Sequence, residues 1–460
     1  MSSDYSDKMT VLERRSTLSL GAVYAVRMLG LFMILPVFAL YAEDFEKVTP
    51  LLIGLAIGAY GLTQALFQIP LGMLSDRIGR KPVIVGGLMV FAAGSAVAAL
   101  ADTLTGVILG RALQGSGAIA AAVMALAADL TREEHRTKVM AVIGLSIGVA
   151  FSVALVAGPV LNHWIGVPGI FWLTAVLALV AIVIVLRFVP QPVSRRLQRD
   201  TRVVGSAIRR IISDPELLRL DLGIFVLHMV LTANFIVIPV LLRDQAGLLP
   251  QHHWMLYFPV LLGSFLLMLP FIIVAEKRRK LKPVFLGAIA LLAMVEFFLF
   301  RSEQGLYAMA TGLLLFFTAF NLLEASLPSL VTKLTAPDVK GTSMGVFSSS
   351  QFLGAFAGGG LGGVVLQTWG PQAVFTGSGM VILIWLLIGA SMKNPRYLSS
   401  YLLNVGQLSS EHAKTMVHEL SRVEGVAEAV VIPEDGVAYL KVDRKILDEN
   451  RLREISISPA

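Results

Sequence analysis

Not one of the 460 residues is cysteine, which excludes disulfides, thiolate-held metals and thiol nucleophiles. Charge is scarce as well: 15% of residues are charged against 56% hydrophobic, and the mean hydropathy is +0.75. A soluble domain cannot present so little charge to water, so the composition is that of a polytopic membrane protein. A removable leader is missing too. Residues 1–16 carry Asp4, Asp7, Glu13, Arg14 and Arg15 in place of a basic stretch, an apolar core and a small-residue cleavage site, so the first apolar run is expected to be retained. No catalytic triad, phosphate loop or redox group is present, and the reading is of a protein that is not an enzyme and uses no cofactor. No metal site is expected either: His252 and His253 have no carboxylate or thiolate nearby and read as a solvated loop. Gly115-Ser-Gly117-Ala-Ile-Ala120 fits a dinucleotide fingerprint by letters, but it lies inside an apolar run with no preceding strand.

What is there is long apolar segments. Each membrane span needs about 20 apolar residues, and on that measure twelve are expected, at 17–41, 51–75, 82–101, 104–129, 137–162, 168–190, 219–243, 252–276, 283–300, 305–331, 341–367 and 371–392. Connections after even-numbered spans hold Arg77, Arg80, Lys81, Arg132, Arg136, Lys138, Lys277, Arg278, Arg279, Lys280, Lys282, Lys333 and Lys340, whereas those after odd-numbered spans hold only Lys47, Arg243 and Arg301. The asymmetry sets the even connections and both termini in the cytoplasm. It also accounts for the formal charge of +7 without a nucleic-acid partner; the expected partners are membrane lipids and a small-molecule substrate.

The chain repeats itself. Pro70 precedes Asp76-Arg77 as Pro270 precedes Glu276-Lys277, and each copy continues through a basic cluster to Lys-Pro-Val, at Lys81–Val83 and Lys282–Val284. Leu130-Thr131 and Met140 match Leu334-Thr335 and Met344 at a constant offset. Two pseudo-symmetric six-helix bundles follow, at 17–190 and 219–392, after a cytoplasmic tail at 1–16. The linker 191–218 is basic, and Val203, Val204, Ala207, Ile208, Ile211 and Ile212 recur at helical spacing; it reads either as an amphipathic helix on the membrane surface or as a solvated tether. Residues 393–460 carry nine basic and ten acidic residues and no long apolar run. Strand signals at 401–405, 426–432 and 437–442, a helix from Ser409 or Ser410 to Gly425 and a second near 447–453 give the order βαββα. With a short last strand at 454–458 this is an α+β, ferredoxin-like cytoplasmic domain. It is similar to the metal-binding modules of metal pumps, but its first loop, Gly406-Gln407-Leu408-Ser409, lacks their cysteines. A soft-metal role is excluded.

The most informative stretch is Gly72–Ile84, in which Gly72, Asp76, Arg77, Gly79, Arg80 and Lys81 form a charged turn between two spans. This turn resembles the signature of the major facilitator superfamily, G-x-L-[AS]-D-R-x-G-R-[KR], at every fixed position. Arg111, with Gln114, Gly115 and Gly117 after it, resembles the second signature of proton-driven members. Ala154, Gly158 and Pro159 resemble part of the antiporter signature, with Ala154, Asn162 and His163 where that pattern has glycines. The resemblance implies a drug:proton antiporter of the bacterial inner membrane. In it two bundles rock about a central cavity, and the proton gradient supplies the energy. Uptake symport stays open because the third signature is incomplete, and so does a non-transporting sensor that signals through the C-terminal domain. The resemblance also implies an Arg80–Asp129 contact, while the repeat and the topology predict that Asp76 meets the amino end of span eleven, where a helix terminus favours a carboxylate, and latches the outward-facing state.

Buried polar groups supply the remaining candidates. Arg27, Arg111, Gln114, His228 and Glu324 lie well inside spans, where charge is costly and marks function. Glu324 and His228 are the candidates for carrying protons, although a neutral hydrogen-bonded histidine is the competing reading of the latter. Gly54, Gly58 and Gly61 stripe span two, and Gly354, Gly358 and Gly362 stripe span eleven. Such stripes admit close helix approach, and here they serve either to close the outer side between the bundles or to pack helices within one. Acidic residues of the C-terminal domain, Glu411, Glu419, Glu424, Glu428 and Glu434, suit docking on the basic linker or the cytoplasmic loops.

Overall fold

In hydrocarbon the backbone can satisfy its own polar groups only as a helix or a closed barrel, and the long apolar runs of this chain form helices throughout. The computed structural model describes residues 9–191, 208–299, 305–335, 339–394, 399–406, 409–433, 436–443 and 446–455. In order come α1 (Val11–Phe32), α2 (Leu35–Tyr41), α3 (Pro50–Ile78), α4 (Arg80–Ala99), α5 (Leu104–Ser116), α6 (Ala120–Asp129) and α7 (Glu133–Phe188). After the linker follow α8 (Pro215–Asp244), α9 (His253–Lys277), α10 (Leu281–Leu299), α11 (Leu306–Leu334), α12 (Lys340–Trp369) and α13 (Pro371–Ala390). Of the linker, Val203, Val204 and Ala207 lie outside the described residues, while 208–212 are helical.

Ten helical segments among the described residues are long and apolar enough to cross a membrane. The expected spans differ from them in three informative ways. Spans one and four are each broken. Pro36 has no N–H to donate, so the helix stops at Phe32 and restarts at Leu35; α5 gives way to α6 at Gly117, whose ψ of 44° is not helical. Spans five and six run together as the single segment α7, bent at Gly166 by a left-handed φ of 65° that only glycine adopts readily. Span eleven, α12, is a 30-residue helix that falls short of the ten because glycine and serine replace apolar residues along it. It lies against both α3 and α8, so less of its surface needs to suit lipid.

The carboxyl-terminal residues form a three-stranded antiparallel sheet with β1 (Ser399–Asn404), β2 (Val426–Ile432) and β3 (Val437–Val442) in the order β1-β3-β2. Ser399 pairs with Val442 and Asn404 with Val437 on one side of β3, while Ile432 pairs with Val437 on the other. Helices α14 (Ser410–Leu420) and α15 (Glu449–Ile455) bury Leu420 and Leu452 with Leu403, Ala438, Leu440 and Val442. The βαββα order is as expected. The last strand is not: Glu454 and Ile455 finish α15, and 456–460 lie outside the described residues.

Candidate functional site

Three buried polar clusters and one seam of glycines define the site. In the second half, α8, α11 and α12 bring together His228, Glu324 and Gln351. The Gln351 amide nitrogen lies 2.8 Å from His228 Nε2 and 3.2 Å from Glu324 Oε1, and His228 Nε2 is 3.8 Å from Glu324 Oε2. His228 is buried, whereas the Glu324 side chain keeps 35% of its exposure, although its Oε2 is buried. Phe320 packs on the His228 ring at 5.8 Å and stacks at 5.8 Å on Phe151 of α7, which meets Phe32 of α1 edge-on at 5.0 Å. This aromatic line crosses from one half of the repeat to the other.

In the first half two arginines are fully buried without a carboxylate partner. Arg27 donates to Gln64 Oε1 at 2.7 Å and to the Gly117 carbonyl at 3.1 Å, so the break in span four supplies an acceptor that a continuous helix would have used. Arg111 donates to the Ala56 and Ile57 carbonyls and, at 2.9 Å, to Gln114, which in turn reaches Ser95. Tyr60 lies under both guanidinium groups, 5.8 Å from Arg27 and 5.2 Å from Arg111. Ring quadrupole and carbonyl dipoles thus replace a counter-ion. The third cluster is Asn234 of α8 donating at 2.7 Å to Glu296 of α10, both at 0% exposure.

The seam joins the halves. A Cβ added to Gly54 of α3 would stand 1.9 Å from the Gly359 carbonyl of α12, one at Gly58 3.0 Å from Phe356, one at Gly61 2.5 Å from the Phe352 carbonyl, and one at Gly363 2.6 Å from the Pro50 carbonyl. Backbones touch from Pro50 to Gly61, and beyond them Arg243, near the end of α8, forks onto Glu43 at 2.6 and 3.2 Å. Towards the other end of α12, Gly341 and Gly345 have open space beside them. The two halves meet backbone to backbone at the Glu43 end, and no such approach is made at Gly341 or Gly345, towards the end that carries the Gly79 turn.

At that turn Gly79 has φ 105°, a left-handed conformation that lets α3 pass directly into α4. Arg80 pairs with Asp76, with Asp129 at 3.2 Å and with Ser75 at 2.7 Å. Lys81 donates to the Val189 carbonyl, and its repeat partner Lys282 to those of Ala390 and Met392. The second half solves the same turn differently. Glu276 pairs directly with Lys333 at 2.9 Å, and Arg279, three residues after Glu276 as Gly79 is three after Asp76, takes φ 54°. Arg279 reaches Asp443 after β3 at 2.9 Å, and Lys441 donates to the Lys333 carbonyl at 3.2 Å.

The sequence pattern of the Major Facilitator Superfamily matches residues 20–359. The chain belongs to that superfamily. It is 45% identical to the inner membrane transport protein YajR of Escherichia coli (strain K12) over 447 residues, 97% of this chain and 98% of that protein. It is 25% identical to the multidrug resistance protein MdtH of Aeromonas salmonicida (strain A449) over 386 residues, 80% and 93% of the two chains. Among solved structures, the human organic anion transporter MFSD10 aligns with TM-score 0.64 and 21% identity over 83% of this chain and 100% of that one. A bacterial homologue of the human lysosomal transporter Spinster, inward-facing and occupied, aligns with TM-score 0.66 and 14% identity over 83% and 97%. At those identities the two structures speak for the fold alone. A major facilitator protein is a membrane transporter and not an enzyme.

Within this superfamily fold, most of the residues singled out from the sequence come together, and some do so differently from expectation. Gly72 approaches Ala121 of α6, and Gly158, ahead of Pro159, packs against the Met33 carbonyl at the break in span one. Arg77 is exposed. Asp76 is held by Arg80 in this conformation, with the amino end of α12 open at Gly341. The stripe Gly354, Gly358 and Gly362 does not face α3: it meets Phe225, Met229 and Ala233 of α8, within its own half. Gly359 and Gly363, each one residue after a member of that stripe, face the first half instead. His253 is no solvated loop residue; it is buried, with Nε2 3.0 Å from the Leu248 carbonyl. Two features went unread. Arg243 was visible as one of the three cations on the sparsely charged side, and Asp221 of α8 as a lone acid inside an apolar run; it is buried with Oδ2 unpartnered.

Proposed function

We propose that the protein is a proton-coupled transporter that expels small amphipathic or hydrophobic compounds from the bacterial cytoplasm by alternating access. The observation that carries this reading is the cluster of His228, Gln351 and Glu324. It sets two groups able to bind a proton inside the membrane, and Glu324 is the more exposed of the two. Close approach at the Glu43 end and none at Gly341 or Gly345, towards the Gly79 end, corresponds to an inward-facing state of twelve spans in two six-helix bundles, with α7 counted as two spans and α12 as one. Arg27 and Arg111 hold fixed positive charge in the first half, and a cavity with so few free charges suits apolar cargo. The relatives named as transport and multidrug resistance proteins support the class, and efflux is the direction towards which the Arg111 signature and the partial match at Gly158-Pro159 lean.

Wild-type protein in liposomes with an imposed pH gradient should move fluorescent lipophilic cations, and Glu324→Gln should lose the dependence on the gradient. Equal gradient-driven movement in both would sink the coupling assignment. Uptake symport is the second reading, favoured by the incomplete third signature at Ala154, Asn162 and His163; proton flux opposite to the cargo supports efflux, and flux with it supports uptake.

The C-terminal module fits a ferredoxin-like domain that docks on the cytoplasmic ends of α9 and α11 through Arg279–Asp443 and Lys441–Lys333. In this reading it restrains the second bundle. Deletion of 393–460 is expected to raise the transport rate without removing its dependence on the gradient; an unchanged rate would refute the restraint.

A further inference from the structure

Gln351 is tied to both partners in the proton-coupling reading, and its chemistry restricts what they can be. An amide nitrogen only donates and carries two hydrogens, so one goes to Glu324 Oε1 and the other to His228 Nε2. Nε2 must therefore accept. A neutral ring that accepts at Nε2 carries its hydrogen on Nδ1, and Nδ1 lies 3.3 Å from the Ile224 carbonyl, which can only accept. Both contacts call for the same tautomer, the shorter of them being that to Gln351. Turning the amide over would set its oxygen against the Glu324 carboxylate, acceptor against acceptor.

We propose that Gln351 is the positioning residue of the His228–Glu324 pair: it holds His228 as the Nδ1–H tautomer, with Nε2 unprotonated 3.8 Å from Glu324 Oε2. The proposal rests on the proton-coupling reading of that pair. Among the described residues Glu324 Oε2 has no hydrogen-bond partner, so it is the open proton-accepting atom of the cluster, whereas the lone pair of Nε2 is taken by the Gln351 amide and is freed only when that amide moves. A proton that adds to Nε2 turns it into a donor facing a donor. The amide must then rotate to offer its oxygen, which withdraws its N–H from Glu324 Oε1. The amide orientation follows the proton, and the next residue on α12, Phe352, has its carbonyl against Gly61 of α3. Proton binding is thereby transmitted to the helix that seals the two halves.

Few other charges reach this place. Apart from Glu324, α11 has only Tyr307 and Lys333 as ionisable groups, near its two ends; α12 has only Lys340, at its start; α13 has none; α2 has Tyr41 alone; and the 3-10 turn before α9 has His252. Of α3, Tyr60 lies under Arg27 and Arg111, and Asp76 and Arg77 stand at the Gly79 end. On α8 itself Asp221 is two turns away, Glu216 and Arg219 are at the start, and Arg243 and Asp244 close the helix.

The test uses the full chain with ¹⁵N-labelled histidine, the His228 signals being assigned by their loss in His228→Gln. Wild type is expected to show the Nδ1–H tautomer, and Gln351→Met, of similar volume and without donors, the Nε2–H tautomer that can turn to Glu324 Oε2. Nε2–H in wild type, or Nδ1–H in both, overturns the proposal; should Gln351→Met not fold, the wild-type tautomer decides. A label pair across the Gly79 end is followed from about pH 5 to pH 8 in the same proteins. Wild type should switch with pH, Glu324→Gln should not, and Gln351→Met should switch at a displaced midpoint. A switch in wild type with an undisplaced midpoint in Gln351→Met overturns the positioning role alone. No switch in wild type overturns the proton-coupling reading and the proposal together.

Discussion

Arg243 Nη1 lies 2.6 Å from Glu43 Oε2, joining the end of the first long helix of one repeat to the end of the corresponding helix of the other. Asp244 also holds Arg243, at 2.6 Å, so the arginine stays neutralised when the two halves separate and only Glu43 loses its partner. Exposed pairs of this kind contribute about 0.2–1 kcal/mol. Glu43→Gln is therefore expected to shift the equilibrium towards opening at this end by up to about fivefold, an effect that shrinks in high salt. Because the chain has no cysteine, pairs of introduced cysteines across this end can report the distance without background. An unchanged distance distribution in Glu43→Gln at low salt would remove the clasp from the mechanism.

Gly54→Ala and Gly358→Ala separate the two kinds of glycine contact. The first sets a methyl 1.9 Å from the Gly359 carbonyl across the halves, and the second sets one 2.1 Å from the Met229 carbonyl inside one half. Overpacking costs about 1–3 kcal/mol. Gly54→Ala should keep its melting temperature and lose closure at the Glu43 end, whereas Gly358→Ala should lower the melting temperature; equal melting losses in both would contradict the assignment of the two faces.

Arg279 is held in a conformation that costs an L-residue about 1–2 kcal/mol, and its guanidinium reaches Asp443. Arg279→Gly is expected to leave the helical part as stable as before or slightly more so while freeing the C-terminal module, seen as faster proteolytic release of residues beyond 393. Asp443→Asn should free the module without the gain. If neither variant changes cleavage, the ion pair does not hold the module.

Glu296 and Asn234 offer a contrast with Glu324. Both are fully buried and joined by the 2.7 Å bond from the Asn234 amide to Glu296 Oε1, while Glu296 Oε2 and Asn234 Oδ1 have no hydrogen-bond partner among the described residues. Glu296→Gln should fold normally and keep gradient-driven transport. Glu296→Ala should lose about 1–3 kcal/mol of stability from the abandoned amide. Loss of coupling in Glu296→Gln would instead make this acid a proton carrier.

Much of this was legible before any fold was known. Apolar run length dictated helices, because the other solution for a lipid-exposed backbone, a closed barrel, needs short alternating strands and not continuous apolar runs, and the repeated Lys-Pro-Val after each charged turn announced two related halves. The charges of Gly72–Ile84 declared a turn between two spans, and Arg80 and Asp129 could be matched through the signature they resemble. Tertiary structure alone decided what each polar or small residue faces. Three-residue and four-residue spacing marks a glycine stripe as a contact face, but one helix has two such faces a residue apart, so only packing shows that Gly358 meets α8 and Gly359 meets α3. The breaks at Met33 and Gly117 depend likewise on neighbours, the first accommodating Gly158 and the second offering its carbonyl to Arg27. Nothing in the sequence singles out Gln351, because hydrogen bonds between side chains 27 and 123 positions apart leave no periodic trace. Only the fold brings those donors and acceptors within reach.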